Sequence, residues 1–285
     1  MITGTRYQLT LEVNRQMALA QQIARAQTEV STKVRIQAPS DDPVAAARVS
    51  DIARSQANDA TWKRNLDLAS ALGARADTVL ASMENAIGRA QELMVTATTG
   101  TLSAENRATI ALELRSISEE LAALKDAKDS RGNRLFMSTS SLQIPVSPGF
   151  AIVAVATREE VFEQVQTAGG PRDIAQIVAA AAAAIEEPDP ALRAAAAGIS
   201  HDEVAAAVQH AGTVRGEQGA RGNRVDQMLE RIANTGLQLA EERSGLEDTN
   251  ITATLARISA TQLTLDAAQA VFARVNQNTL FDVLR

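Results

Sequence analysis

The chain contains no cysteine, and only 2% of its residues are aromatic. Without thiols, disulfide bonds, thiolate metal sites and cysteine nucleophiles are excluded. With one Trp and one Tyr in 285 residues, alanine supplies much of the 45% hydrophobic fraction. A core built mainly from alanine brings helix backbones close together and is thin. We therefore expect a mainly α-helical, elongated protein.

Long hydrophobic runs are missing as well. The longest aliphatic run, Ile177 to Ile185, is mostly alanine and is about half as long as the ~20 residues that a membrane span needs. The first ten residues hold no apolar stretch typical of a signal peptide. The net charge is -6, and the Lys and Arg residues are scattered without interleaved aromatics. We expect no membrane insertion, no Sec signal peptide and no nucleic-acid binding.

Residues suited to catalysis are few. His201 and His210 are nine positions apart, which places them on opposite faces of a helix and prevents a shared metal. Asp41 and Asp42 are adjacent at a predicted helix start, where carboxylates act as caps. The glycines between Gly216 and Gly222 lack the strand and the Lys-Ser/Thr of a phosphate loop and indicate close helix packing instead. We expect no enzyme activity, no cofactor and no metal site.

The strongest positive signals are helical seams, in which apolar residues recur at steps of three and four. One seam predicts the core of a helical bundle, and it comprises Trp62, Leu66, Leu80, Met83, Ile87, Ile110, Leu114, Ile117, Leu121, Ile232 and Leu239. The other runs along the pair of helices at the two chain ends and predicts their burial against other helices, and it comprises Leu9, Val13, Ile23, Val30, Leu255, Ile258, Leu265 and Phe272. Polar residues interrupt the terminal seam, so we expect this pair to be marginal alone and to be ordered by partners.

Helix-breaking residues mark the boundaries between these helical segments. The motif Pro39, Ser40, Asp41, Asp42 and Pro43 predicts a break followed by a long helix from Pro43 to Thr99, capped by Gly100. Whether this helix bends at Gly73 or Gly88 is left open.

Shorter elements are predicted from the residues that follow. A shorter helix begins at Ser103, and strands are predicted at 134–137, 142–146 and 150–157. Helical periodicity returns near Asp202, and a terminal helix follows that is capped by Asn250 or Thr249. The sequence therefore predicts three parts: a terminal coiled coil of 1–38 with 249–285, a helical bundle with a short β-hairpin from 39–137 with 203–248, and a small α+β surface insert at 138–202.

This order, with the residues at its breaks, resembles the flagellin superfamily. The resemblance rests on the stretches 39–46, 65–103, 129–136 and 241–248. The two prolines of the first stretch and the ending Asn278 to Leu284 are more similar to the hook–filament junction proteins of that family than to filament flagellins. The final Val283, Leu284 and Arg285, in contrast, resemble a flagellin ending.

The resemblance implies a self-assembling structural role in the bacterial flagellum, joining the hook to the filament. It implies export in an unfolded state by the flagellar type III apparatus and an extracellular location. The implied partners are other copies of the chain, a neighbouring hook-associated protein, flagellin and an export chaperone. It also implies terminal helices that are disordered in the monomer.

Three other functions stay open at this point. A filament flagellin would grow long filaments from seeds, whereas a junction protein adds a limited layer. A helical export chaperone or adaptor would keep ordered termini and stay inside the cell. An enzyme carried in the insert at 138–202 has no supporting motif.

Overall fold

The computed structural model describes residues 2–99, 102–138 and 140–281; of residues 2–6, 8, 99 and 275–281 it describes the backbone alone. The predicted cap at Gly100 and the residues after position 281 lie outside this range. The chain is 77% helical, which confirms the mainly α prediction. Packing divides it into two units, Met1–Ala57 with Thr235–Arg285 and Asn58–Asn234.

Six α-helices carry the fold within the described residues. They are α1 (Ile2–Thr32), α2 (Pro43–Thr99), α3 (Ala104–Leu124), α4 (Ile174–Glu186), α5 (Pro190–Glu247) and α6 (Ile251–Phe281). The bounds of α2 agree with those predicted, and the helix continues through both of its interior glycines.

Side-chain caps fix two of the predicted helix starts. Ser103 Oγ accepts a hydrogen bond from the Asn106 N–H (3.1 Å), and Asn250 Oδ1 accepts one from the Ala253 N–H (3.0 Å). Each cap satisfies a backbone donor that has no partner inside its own helix.

In the first unit, α1 and α6 pack antiparallel, which is the arrangement that the resemblance implies. The segments that break the helices also meet here, because Val34 and Asp248 form an isolated antiparallel bridge. Lys33 has a positive φ of 60°, a left-handed conformation that ends a helix and turns the chain. The first unit therefore contains a helix pair with a short backbone bridge at its base.

In the second unit, two β-hairpins and a short helix pack onto the long helices. The strands β1 (Gln143–Ser147) and β2 (Phe150–Val153) form one hairpin, and β3 (Val165–Thr167) and β4 (Gly170–Arg172) form the other. Phe162, in a π-helical turn, meets Phe136 edge to face at 5.3 Å between ring centroids. Because α4 is buried along most of its length and packs against α3, this region has a core despite its lack of sequence pattern.

The structure corrects three local predictions. Residues 134–137 form no strand: Arg134 makes a single isolated bridge to Lys128, and the pairing does not continue into Leu135 and Phe136, which are both buried. The strand predicted at 150–157 ends at Val153, because its partner strand begins at Gln143, directly opposite Val153.

The third correction concerns α5, which begins at Pro190, twelve residues before the predicted return of helical periodicity. Asp189 Oδ1 caps this start by accepting hydrogen bonds from the Ala191 and Leu192 N–H groups. The prolines nearby indicated a loop, whereas Pro190 occupies the first helical position, where its missing N–H costs nothing.

The apolar side chains of residues 144–185 belong to the same buried cluster as those of the long helices. Ile144, Ile177 and Leu114, for example, lie in one continuous core. The three-part division of the chain, with 138–202 as a separate surface insert, stays a prediction.

Candidate assembly surfaces

The two aspartates of the helix-break motif cap the backbone on either side of the break. Asp41 Oδ2 accepts hydrogen bonds from the Gln37 and Ala38 N–H groups at 3.2 and 2.9 Å, and Asp42 Oδ1 accepts one from the Ala45 N–H at 3.0 Å. Each carboxylate therefore satisfies backbone donors on its own side of the break. The adjacent acids are a pair of local caps, as the sequence predicts.

Among the side chains that the structure describes, pairing of the terminal helices buries a short apolar cluster. Ile23, Ala26 and Ile258 are buried together, and Val30 and Leu265 pack against them. An ion pair joins Arg257 on α6 to Glu29 on α1 at 2.5 Å. Thr254 is also buried, and sequence reasoning missed it because a threonine on a seam gives no apolar signal.

The rest of the predicted terminal seam is largely uncovered. Leu9, Val13 and Leu255 are 42%, 38% and 49% exposed, whereas Phe272 is half-buried. Other large apolar side chains outside the prediction are exposed on the same two helices, namely Tyr7, Leu11, Met17, Leu263 and Val271. Large exposed apolar patches are typical of interaction sites, so this helix pair is the candidate assembly surface.

Most residues of the predicted bundle seam are buried, in contrast to those of the terminal seam. Seven of its residues are buried, namely Leu66, Leu80, Met83, Ile87, Leu114, Ile117 and Leu121, and Ile110 and Ile232 pack against them while partly buried. Trp62 and Leu239 are half-buried. The structure therefore gathers most of this seam within one core.

Ion pairs between helices supplement this core at the surface. Arg215 on α5 contacts Glu84 on α2 at 2.5 Å, and Arg89 on α2 contacts Glu113 on α3 at 2.7 Å. All four side chains are about half exposed, so each pair contributes no more than ~1 kcal/mol.

The glycine prediction was wrong in its physical reason. A Cβ at Gly216, Gly219 or Gly222 would meet no described atom within 4 Å, so these glycines do not mediate close helix packing in the chain. Gly73 is the tight position instead: a Cβ there would lie 3.3 Å from Gln218 Nε2. That amide is buried and donates to the Ala154 carbonyl at 2.9 Å, so a larger residue at position 73 would disturb a buried hydrogen bond.

Two open grooves lie in the second unit. One, of about 340 Å³, is lined by α2 and α5 around Gly73, Gly219 and Gly222. The other, of about 420 Å³, is lined by Leu68, Leu72 and the turn at 129–135. No cluster of metal-ligating side chains occurs among the described residues.

Both histidines lie half-buried on α5 rather than exposed. His210 Nε2 is 3.1 Å from the Val161 carbonyl oxygen, while His201 Nδ1 is buried without a hydrogen-bond partner in the described structure.

Within the described residues, no helix is both long enough and apolar enough to cross a lipid bilayer.

Comparison with protein-family models identifies the family of this chain. The model for the bacterial flagellin N-terminal helical region matches residues 7–141, and the model for the bacterial flagellin C-terminal helical region matches residues 202–284. The chain belongs to the flagellin family. The unmatched stretch between the two models contains both hairpins and α4, which are the elements that sequence patterning described least well.

Relatives within the flagellin family include flagellar hook-associated proteins. Flagellar hook-associated protein 3 of Escherichia coli (strain K12) is 23% identical over 287 residues, which cover 90% of each chain. The protein of the same name from Salmonella typhimurium is 33% identical over 108 residues, 38% of this chain and 34% of that one. This flagellin-family chain is thus similar to hook-associated proteins in sequence.

Solved structures agree with the fold. FlgL from Xanthomonas campestris superposes with a TM-score of 0.60 at 14% identity and covers 67% of this chain and 99% of its own. The flagellar junction protein FlgL from Legionella pneumophila gives a TM-score of 0.61 at 13% identity, over 70% of this chain and all of its own. At these identities the structures establish a shared fold.

Proposed function

We propose that this flagellin-family chain is a structural subunit of the bacterial flagellum that joins the hook to the filament. One observation carries the proposal: the sequence relative that spans 90% of the chain is a flagellar hook-associated protein. The solved structure from Legionella pneumophila, called a flagellar junction protein, supports the same role through its fold. The function is mechanical, and its working parts are helix faces rather than a reactive centre.

The proposed mechanism is assembly through the terminal helices. The α1/α6 pair buries few apolar side chains within the chain and leaves Leu9, Val13 and Leu255 exposed. Full burial of an exposed leucine contributes about 1.5–3 kcal/mol, and these side chains are already more than half covered, so each gains at most roughly half of that. Neighbouring copies that cover several of them would together order the pair. The terminal seam is thus the assembly surface, and the buried bundle seam keeps each subunit folded.

The proposed partners are further copies of this chain, a neighbouring hook-associated protein on one side and flagellin on the other. The proposed location is extracellular, in the flagellum. An export chaperone and unfolded passage through the flagellar type III apparatus belong to the same proposal. Alanine-rich helices without cysteine are compatible with such export, since no disulfide has to form beforehand.

The proposal is tested by deleting the gene in its own bacterium. Loss of a junction subunit should leave hooks in place and flagellin in the culture medium, with filaments detached from the cells. Normal filaments on the deletion strain would contradict the role. Expression of the chain in trans should restore attachment.

Filament flagellin is the second candidate, favoured by the family models, which describe bacterial flagellin. Seeded growth separates the two functions: the purified chain should add a layer of limited length to isolated hooks, whereas a flagellin would extend long filaments.

An export chaperone or adaptor is the remaining alternative, and limited proteolysis of the purified monomer separates it. A subunit with assembly-coupled ends should lose roughly the first 35 to 45 and the last 30 to 40 residues and leave a stable middle. Protected termini, together with absence from the culture medium, would favour the adaptor.

A further inference from the structure

The two segments that interrupt the long helices are joined to each other by backbone hydrogen bonds. The Arg35 N–H donates to the Glu247 carbonyl at 2.7 Å, and the Thr249 N–H donates to the Lys33 carbonyl at 3.0 Å. We call residues 33–35 and 246–249 the clasp. Since both bonds lie between residues more than 200 positions apart, the clasp fixes one break directly opposite the other.

The Arg35 side chain reinforces the clasp. Its Nη2 donates to the Leu246 carbonyl at 2.9 Å and lies 3.6 Å from Asp42 Oδ2. Carbonyls in the last turn of a helix have no partner within that helix, so the guanidinium satisfies a free acceptor at the end of α5. The same group also contacts the carboxylate that caps the start of α2, and it therefore links the clasp to both long helices.

A second contact braces the clasp from below. Arg48 Nε and Nη2 donate to the two carboxylate oxygens of Glu242 at 2.6 and 2.9 Å. This fork-like geometry fixes the relative position of two side chains more strictly than a single bond does.

Burial in the terminal pair is concentrated near the clasp. The buried residues Ala26, Thr254 and Ile258 lie within about two to three turns of it, and the ion pair between Glu29 and Arg257 lies beside them. Exposed apolar residues prevail farther along both helices. A pair held by so few small or polar contacts does not set its own register strongly.

We propose that the clasp sets the register of α1 against α6 and that the pair forms outward from it. Closing the clasp brings the two helix ends together, so that each further turn of pairing becomes a local step with little additional loop entropy. The distal turns then remain available to neighbouring copies. This inference deepens the proposed function, because it says how one subunit presents its assembly surface in a single register.

Hydrogen exchange of the full-length monomer gives the first test. In the wild-type chain, the Thr249 amide should exchange slowly, and the amides of α1 and α6 should exchange faster with distance from the clasp. In Arg35→Ala, exchange at Thr249 should accelerate on the order of tenfold, since a hydrogen bond from a charged donor is lost. Arg54→Ala is the matched control, because Arg54 pairs only with Asp51 on its own helix and should leave Thr249 unchanged.

Cross-linking gives a direct test of register. The chain has no cysteine of its own, so Ala26→Cys with Ile258→Cys reports the native register of the buried cluster. Ala26→Cys with Ile251→Cys reports a shift of one heptad, about 10 Å along the helix axis. With Arg35 present, the native pair should cross-link predominantly; with Arg35→Ala, the shifted pair should gain yield at its expense.

Two results would overturn the inference: fast exchange at Thr249 in the wild-type chain, or an unchanged cross-linking ratio in Arg35→Ala. Both measurements use the monomer and need no flagellum. The clasp can therefore fail while the junction role stands, and the junction role can fail in the deletion strain while the clasp stands.

Discussion

Replacement of Phe272 by aspartate should separate folding from assembly. Phe272 lies half-buried on α6 and belongs to neither buried cluster of the described residues. Full burial of a phenylalanine contributes about 1.5–3 kcal/mol, so a partly buried one contributes less, and we expect Phe272→Asp to lower the free energy of unfolding of the monomer by no more than about 1 kcal/mol. Thermal unfolding followed by circular dichroism measures this change.

Assembly should suffer far more from the same change. If neighbouring copies cover position 272, the variant loses the remaining apolar burial and must also bury a carboxylate, which costs several kcal/mol. A total of about 3–4 kcal/mol per subunit corresponds to a loss of more than about 100-fold in affinity. Sedimentation of the chain with isolated hooks measures incorporation, and Phe272→Leu, which keeps an apolar side chain, is the matched control. If Phe272→Asp sediments with hooks like the wild-type chain, the assignment of this face of α6 to the assembly surface is refuted.

Three further predictions concern stability and ionisation. Leu114→Ala, in the core, should lower the free energy of unfolding in urea by about 2–5 kcal/mol. Leu112 lies nearby on α3 and is 62% exposed, so Leu112→Ala should change the free energy of unfolding by no more than about 0.5 kcal/mol. Equal effects of the two substitutions would contradict the assignment of buried and exposed faces on α3. Hydrogen bonds from the Leu192 and Ala191 backbone N–H groups hold the pKa of Asp189 below its ordinary value. The Asp189 cap therefore stabilises α5 at neutral pH, and this stabilisation is lost as the pH falls through the lowered pKa. An ordinary carboxyl pKa for Asp189 in an NMR titration would contradict the cap. The hydrogen bond from Arg48 lowers the pKa of Glu242, so Arg48→Ala should raise that midpoint toward the ordinary value, and an unchanged midpoint would mean that the pair is not formed.

Periodicity predicted the long helices because it is a local property of the chain. The four-and-three spacing through Leu80, Met83 and Ile87, with Pro43 at the helix start, was sufficient to place α2 from end to end. Ser103 and Asn250 were found as caps for the same reason, since a cap acts within three residues of itself.

The remainder depends on contacts between distant residues. Nothing near Leu135 and Phe136 indicates that both are buried, because their partners come from the π-helical turn and from other parts of the core. The contact between the two helix breaks was equally hidden, since Arg35 is an ordinary polar residue until Leu246 is placed beside it. The terminal seam was only partly informative, because its periodicity does not distinguish apolar residues buried within the chain from those left exposed.

Immunogold labelling of isolated flagella tests the central claim most directly. An antibody against the purified chain should label a single narrow band at the boundary between hook and filament. Gold along the whole filament would identify a flagellin instead, and unlabelled flagella from cells that contain the protein would contradict a structural role in the flagellum.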